Sequence, residues 1–302
     1  MYFPFINAKQ YDLDALCEIE VKHYDSFIPV IIPANITSCK RNITKLISKD
    51  IYFILVLNYG KKGFPDINQI TEHFIDDSLK NYKNFSIAYV IQKETEKFEI
   101  ANYIQSFPTL KKSLIHGFEF GDRKLLKNLS NVEYNIFLTD FVNSSYIEQV
   151  SNSNSVLVND GFLKQSRNVD YPPKNIFKTH LFDYHSKNAV GFGDFTIIGN
   201  NDTTGFAAFS VALHLTVLNN SSLFIYHFVS DDKDGQSEIA RKYNDALTEL
   251  DDFVNKNKVF ITTGIIGFQE SYKSGHYPGL GIPKKWSIKN HVEQICNYLS
   301  VL

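Results

Sequence analysis

Short apolar runs rich in β-branched and aromatic residues recur along the chain: FIPVIIPA at 27–34, IYFILVLNY at 51–59, FSIAYVIQ at 85–92, SLIHGFEF at 113–120, YNIFLTDF at 134–141 and SVLVNDGF at 155–162. Uninterrupted runs of this length suit strands buried on both faces, as in a parallel sheet. Polar segments with helical spacing lie between them. Ile67, Ile70, Phe74, Ile75 and Leu79 fall on one face, with Asp66 placed to cap the start. Leu125, Leu126 and Leu129 repeat the pattern after GDRK, and Phe98, Ile100, Ile104 and Phe107 do so less regularly.

The interval from one run to the next is roughly 20 to 35 residues, the length of a βα unit. Six such units in unbroken series predict an α/β fold, a TIM-like (β/α) barrel, with a doubly wound sheet as the rival. No GxGxxG follows the first run, so the usual dinucleotide site of the rival fold is missing. After residue 170 the alternation breaks. VGFGDFTIIG at 190–199 predicts a seventh strand, while FAAFSVALHLTVL and SLFIYHFVS, separated by NNSS, predict an antiparallel hairpin. Ile239, Tyr243, Leu247, Leu250 and Val254 predict a helix, VFITTGIIGF at 259–268 a last strand, and the end of the chain a Gly/Pro loop followed by a helix. The expectation is one domain over 1–302, a barrel modified in its C-terminal third by the hairpin, because no Pro- or Ser-rich linker divides it.

Composition narrows the partners more than the fold. Of 302 residues, 43% are hydrophobic and 21% charged, which suits a globular protein with a substantial core. A net charge of −2 gives no global attraction to nucleic acid or acidic lipid and leaves nucleic-acid binding open. Cys17, Cys39 and Cys296 stand far apart without CxxC spacing and read as reduced thiols. The opening MYFPFINAKQYDL lacks the basic head and apolar stretch of a signal peptide, and no run reaches the roughly 18 apolar residues of a membrane span, so a cytoplasmic address without membrane contact is expected.

In a barrel of this kind chemistry sits at the carboxyl ends of the strands. The residues closing the runs are Asn58, Gln92, Glu119, Asp140, Asp160 and Asp194; each equally suits a turn or a helix cap. Asp160 is followed by Lys164, Gln165, Arg167 and Asp170, a loop able to bind a planar anion, or one held by an Arg167–Asp170 pair. Asp194, in GFGDF, is a candidate base or metal ligand, or a cap in a glycine-rich bulge. His214 and His227 fall at nearly corresponding positions of the hairpin, where with Asp231 or Asp194 they would hold a divalent metal or move a proton, or pack as core histidines. Lys284 and Lys285, in a glycine-containing loop before the last helix, suit a phosphate or a solvated turn. No GxxxxGK[ST], GxSxG, HExxH or EF-hand pattern is present.

The ordered blocks YFPFINAKQYDLDAL, VNDGFLKQSRNVDYP, VGFGDFTIIG, VALHLTV with HFVSD, and YPGLGIPKKWSIKNHVEQI resemble a largely uncharacterised bacterial family that is itself similar to the phage-associated beta-protein family. The resemblance spans nearly the whole chain. It implies a barrel-like protein of mobile elements or defence islands, frequently encoded beside a small nuclease-like protein, and it carries no agreed catalytic residue. Three functions are therefore expected from the chain. One is a defence component whose barrel mouth binds a phosphate-bearing ligand and hydrolyses a phosphodiester. In that reading Asp160, Asp194, His214 and His227 are catalytic, and Lys164, Arg167, Asp170, Asp231 and Lys284 bind substrate. The second is a non-catalytic barrel recognising a phage protein or a nuclease-like partner through its aromatic surface. A carbohydrate-active barrel with paired carboxylates is the third.

Overall fold

The computed structural model describes residues 1–60, 64–129, 131–200, 209–219, 221–233 and 235–301. Its strands are β1 (Tyr2–Asn7), β2 (Val30–Ile32), β3 (Phe53–Val56), β4 (Phe85–Ile91), β5 (Lys112–His116), β6 (Val132–Leu138), β7 (Ser155–Asn159), β8 (Lys174–Ile176), β9 (Gly191–Asp194), β10 (Ala212–Asn219) and β11 (Ser222–Val229). Eight of them, in the order β1-β2-β3-β4-β5-β6-β7-β9, close a parallel barrel of the TIM type, and β10-β11-β8 form a separate antiparallel sheet. The helices are α1 (Gln10–Cys17), α2 (Ile36–Ser48), α3 (Ile67–Ile70), α4 (Lys97–Ser106), α5 (Arg123–Lys127), α6 (Ser144–Val150), α7 (Ile239–Lys256), α8 (Thr263–Ser274) and α9 (Gly281–Ser300). The chain divides into two compact units. The first comprises 1–13, 25–159 and 179–194, and the second 14–24, 160–178 and 195–302.

Register decides which side chains fill the barrel. Phe3 meets Tyr134 of the non-adjacent β6 at 5.0 Å between ring centroids, so Phe3, and with it Phe5 and Asn7, points into the lumen. Partner residues in parallel ladders share a side. The lumen is therefore built from Val30, Ile54, Val56, Ala88, Ile115, Ile136, Leu138, Val156 and Val158, together with Gly191 and Gly193 opposite the phenylalanines. It is a buried core, mostly apolar, that by the same register also takes in Asn7, Ser86 and Ser113. The two glycines make room: a Cβ on Gly191 would stand 2.5 Å from the Phe3 ring, and one on Gly193 would stand 2.2 Å from the Phe3 carbonyl oxygen.

Strand β1 lies outside the set of expected runs. Pro4 stands within it, opposite Asp194 of β9, and the ladder to β2 begins at Phe5. Helix α3 is capped by Asp66, whose Oδ1 accepts from the Gln69 amide at 2.9 Å, and it continues as a π-helical turn through Ser78 that buries Phe74. On α4 the inward residues are Ile100 and Tyr103, while Phe98 points outward, contrary to the expected face.

In the second unit the expected hairpin is present, with His214 directly opposite His227; residues 206–208 of its first run lie outside the described residues. Leu213, Leu215, Val217 and Phe228 pack on Tyr243, Leu247, Leu250 and Val254 of α7 and on Ile265 and Phe268 of α8. The expected strand at 259–268 is instead a short extended segment followed by α8, which Thr262 caps by accepting from the Ile265 amide at 3.1 Å. Gly264, Ile265, Gly267 and Phe268 of the run lie on the buried face of that helix, while Phe260, Ile261 and Ile266 are exposed; run length alone does not separate a strand from a helix. Helix α9 buries a polar row. Asn290 accepts from Thr262 Oγ1 at 2.9 Å, Glu293 accepts from the Thr263 amide at 2.7 Å, and Thr216 Oγ1 lies 2.8 Å from His291 Nδ1. Gly264 permits this close crossing, because a Cβ there would lie 2.3 Å from the Trp286 carbonyl.

Candidate functional site

The carboxyl ends of the strands carry the polar groups that sequence pointed to, and the structure gives most of them a local partner. Asn58 extends the β3–β4 ladder through its side chain: Nδ2 donates to the Val90 carbonyl at 2.9 Å, and the Val90 amide donates to Oδ1 at 2.7 Å. Gln92 Nε2 donates to the Asn58 carbonyl at 2.9 Å. Glu119 accepts from the Asn143 amide at 3.1 Å, while Asp140 is exposed. These contacts fix the loops.

Asp194 closes β9 but does not enter the lumen. Its register partners are Pro4 and Asn159, on the side opposite Phe3 and Gly193, and its Oδ1 accepts from the Tyr2 hydroxyl at 2.8 Å with no solvent exposure. Strand parity, invisible in a run that ends on a carboxylate, turns it toward the outside of the barrel wall. Asp160, in the second unit, accepts from the Phe162 amide at 3.1 Å and from the Asn200 amide at 2.7 Å, so it pins two loop segments together. Arg167 forms a two-pronged pair with Asp170, Nε to Oδ2 at 3.0 Å and Nη2 to Oδ1 at 2.7 Å, the loop-holding alternative of the two expected. Lys164 is exposed on the same loop. Asp231 pairs with Arg241 at 3.2 Å and accepts from the Lys233 amide at the same distance. Lys284 is half-buried in the first turn of α9, and Lys285 pairs with Glu18 at 2.7 Å.

The two hairpin histidines face each other, Nδ1 to Nδ1 at 2.8 Å, and His227 Nε2 lies 2.9 Å from Asn175 Oδ1. With Asn175 accepting from Nε2–H, the bare Nδ1 of His227 accepts from Nδ1–H of His214, so both rings are neutral in this arrangement. Phe162 and Tyr171 close around them, with ring centroids 4.7 to 5.2 Å from one imidazole or the other. Burial pushes His214 down to about 3 and His227 down to about 4. A metal held by both Nδ1 atoms would have to break this hydrogen bond. Among the described residues, no group of three or more His, Cys, Asp or Glu side chains is placed to hold a metal ion.

Buried His116 behaves alike in the barrel wall. Nε2 lies 3.0 Å from Asn135 Oδ1, Nδ1 lies 2.9 Å from the Tyr146 hydroxyl, and burial pushes the ring down to about 4. An unfolded histidine titrates near 6.5, so between that value and about 4 the unfolded chain binds more protons than the folded one. The associated stability is fully present above pH 6.5 and is lost as the pH falls through this window. For fully buried His116 it is on the order of 3 kcal/mol. Urea midpoints at pH 7 and pH 4.5 are expected to differ clearly in the wild type and less in His116→Gln; equal pH sensitivity in both would contradict the assignment.

What the strand ends do leave open is aromatic. Phe98 on the first turn of α4, Phe118 after β5 and Phe141 after β6 are 60%, 40% and 55% exposed, one on each of three successive βα connections. Beside Phe98 runs a groove of about 960 Å³ whose lining includes Phe120 and the charged Glu96, Lys97, Asp122, Arg123 and Lys124. On the far side of α4 a second cleft of about 850 Å³ reaches Tyr89 and Tyr103. Neither cleft is lined by Asp160, Arg167, Asp194, His214 or His227. The three phenylalanines are inconspicuous in the sequence because each extends an apolar run or a helical face. Their signal was present in Phe98, which fits its helical face poorly.

No helix among the described residues is long and apolar enough to cross a membrane. No protein-family model matches the chain, and no curated protein matches it.

Proposed function

We propose that this chain is a non-catalytic recognition barrel of an anti-phage or mobile-element system, engaging a protein partner through the connections after β4, β5 and β6. The observation that carries the reading is the row of Phe98, Phe118 and Phe141 exposed at the end of the barrel where such folds bind. Large aromatic side chains and arginine are enriched at the centres of protein interfaces, with charged groups around them. Here Lys97, Arg123 and Lys124 alternate with Glu96, Glu119 and Asp122. A surface of both signs suits a protein better than a polyanion. The hydrolytic reading needs Asp160, Asp194, Arg167 and the histidine pair to leave the partners they have. The resemblance supplies the setting and a nuclease-like neighbour, and a nuclease-like protein or a phage protein is the proposed partner.

A host carrying the chain with its native neighbours is expected to restrict phage plating, and the combined change Phe98→Ser, Phe118→Ser and Phe141→Ser to abolish restriction while the far-UV circular dichroism stays unchanged. Interface aromatics at this rank cost about 2 kcal/mol each, roughly thirtyfold in affinity. Full restriction by the folded triple variant would remove the rim from the function. No restriction by the wild type would remove the defence setting.

A further inference from the structure

The charges around the groove beside α4 point to the chemistry of what it holds. Three cations, Lys97, Arg123 and Lys124, line it with Phe98 and Phe120. Two carboxylates, Glu96 and Asp122, line it as well, and Asp122 is engaged twice: Oδ2 lies 2.6 Å from Lys97 Nζ and Oδ1 accepts from the Leu125 amide at 3.0 Å. Arg123 lies over the Tyr146 ring at 5.7 Å, and its ion pair with Glu119 is long, at 3.8 Å. With three cations against two lining carboxylates the groove carries one positive charge in excess, which complements negative charge, and Phe98 and Phe120 complement an apolar neighbour to that charge.

Resting on the recognition reading, we propose that the groove receives an acidic segment of the partner in which carboxylates flank an aromatic or aliphatic anchor. The anchor lies against Phe98. One carboxylate takes the place of Asp122 on Lys97, and others pair with Arg123 and Lys124. The exchange is inexpensive, because Lys97 is 69% exposed and ion pairs so placed contribute little to stability. Asp122 is thereby an internal competitor for the partner's carboxylate. Acidic-motif recognition by clustered cations is a recurrent binding mode.

The test is fluorescence polarisation at low salt with a labelled Asp-Phe-Asp-Leu-Asp-Leu-Asp peptide, its counterpart with Asn at every Asp, and a single-stranded oligothymidine. Only the acidic peptide is expected to bind. Lys124→Glu is expected to weaken it at least about tenfold. Asp122→Asn, which keeps a helix-capping side chain, is expected to tighten it several-fold. Equal binding of the Asn peptide, preference for the oligonucleotide, unchanged affinity in Lys124→Glu, or weaker binding in Asp122→Asn would each overturn the assignment. Failure of the wild type to bind the acidic peptide would overturn it as well. The recognition reading is judged separately, by Phe118→Ser and Phe141→Ser in the plating assay, since neither residue lines the groove.

Discussion

Gly193→Ala is expected to destabilise the barrel by about 3 kcal/mol, at the upper end of what one added methyl does in a packed interior. The new Cβ would stand 2.2 Å from the Phe3 carbonyl oxygen and 3.0 Å from Val158 Cγ2. The first of these is backbone and cannot rotate away. Strand β9 joins β1 to β7, so any shift that relieves the clash opens the ladder that closes the barrel. Gly191→Ala meets the Phe3 ring at 2.5 Å and the Met1 carbonyl at 2.6 Å, and is expected to act in the same direction. Urea unfolding followed by far-UV circular dichroism measures the loss. The single tryptophan, Trp286 on α9 in the second unit, reports that unit independently. A Gly193→Ala protein as stable as the wild type would contradict closure by β9.

The barrel was legible because parallel strands buried on both faces write themselves as unbroken apolar runs. Val30–Ile32, Phe53–Val56 and Phe85–Ile91 all lie inside runs recognisable in the chain. The hairpin was legible from its turn, and α7 from its spacing. Two things were not. One was length without periodicity: the run at 259–268 satisfies a strand and a buried helix equally, and only its packing against α9 chooses. The other was facing. Asp194 and Asp160 both end apolar runs, but whether a strand-end carboxylate looks into the mouth, into the wall or back onto its own loop depends on register and on distant amides.

The rim was obscured by the same rule that revealed the barrel. Phe118 and Phe141 stand just past β5 and β6, where an exposed phenylalanine prolongs the apolar pattern and reads as core. Burial is a property of three dimensions. Polar groups in strand-end loops attract attention by type, whereas exposed aromatics become conspicuous only once the surface around them is known.

Asp194→Ala would leave the buried Tyr2 hydroxyl without its acceptor and open a small void, an expected loss of about 3 kcal/mol. Asp160→Ala would free the Phe162 and Asn200 amides, an expected loss of about 2 kcal/mol. Groups kept for chemistry behave differently: their removal commonly leaves stability unchanged or raises it. The decisive measurement is the unfolding free energy in urea of Asp160→Ala and Asp194→Ala beside that of the Phe98, Phe118 and Phe141 triple serine variant. Marked losses in the two aspartate variants with near wild-type stability in the rim variant are the predicted result. Aspartate variants as stable as the wild type, or more so, would contradict it and return those carboxylates to the candidates for catalysis.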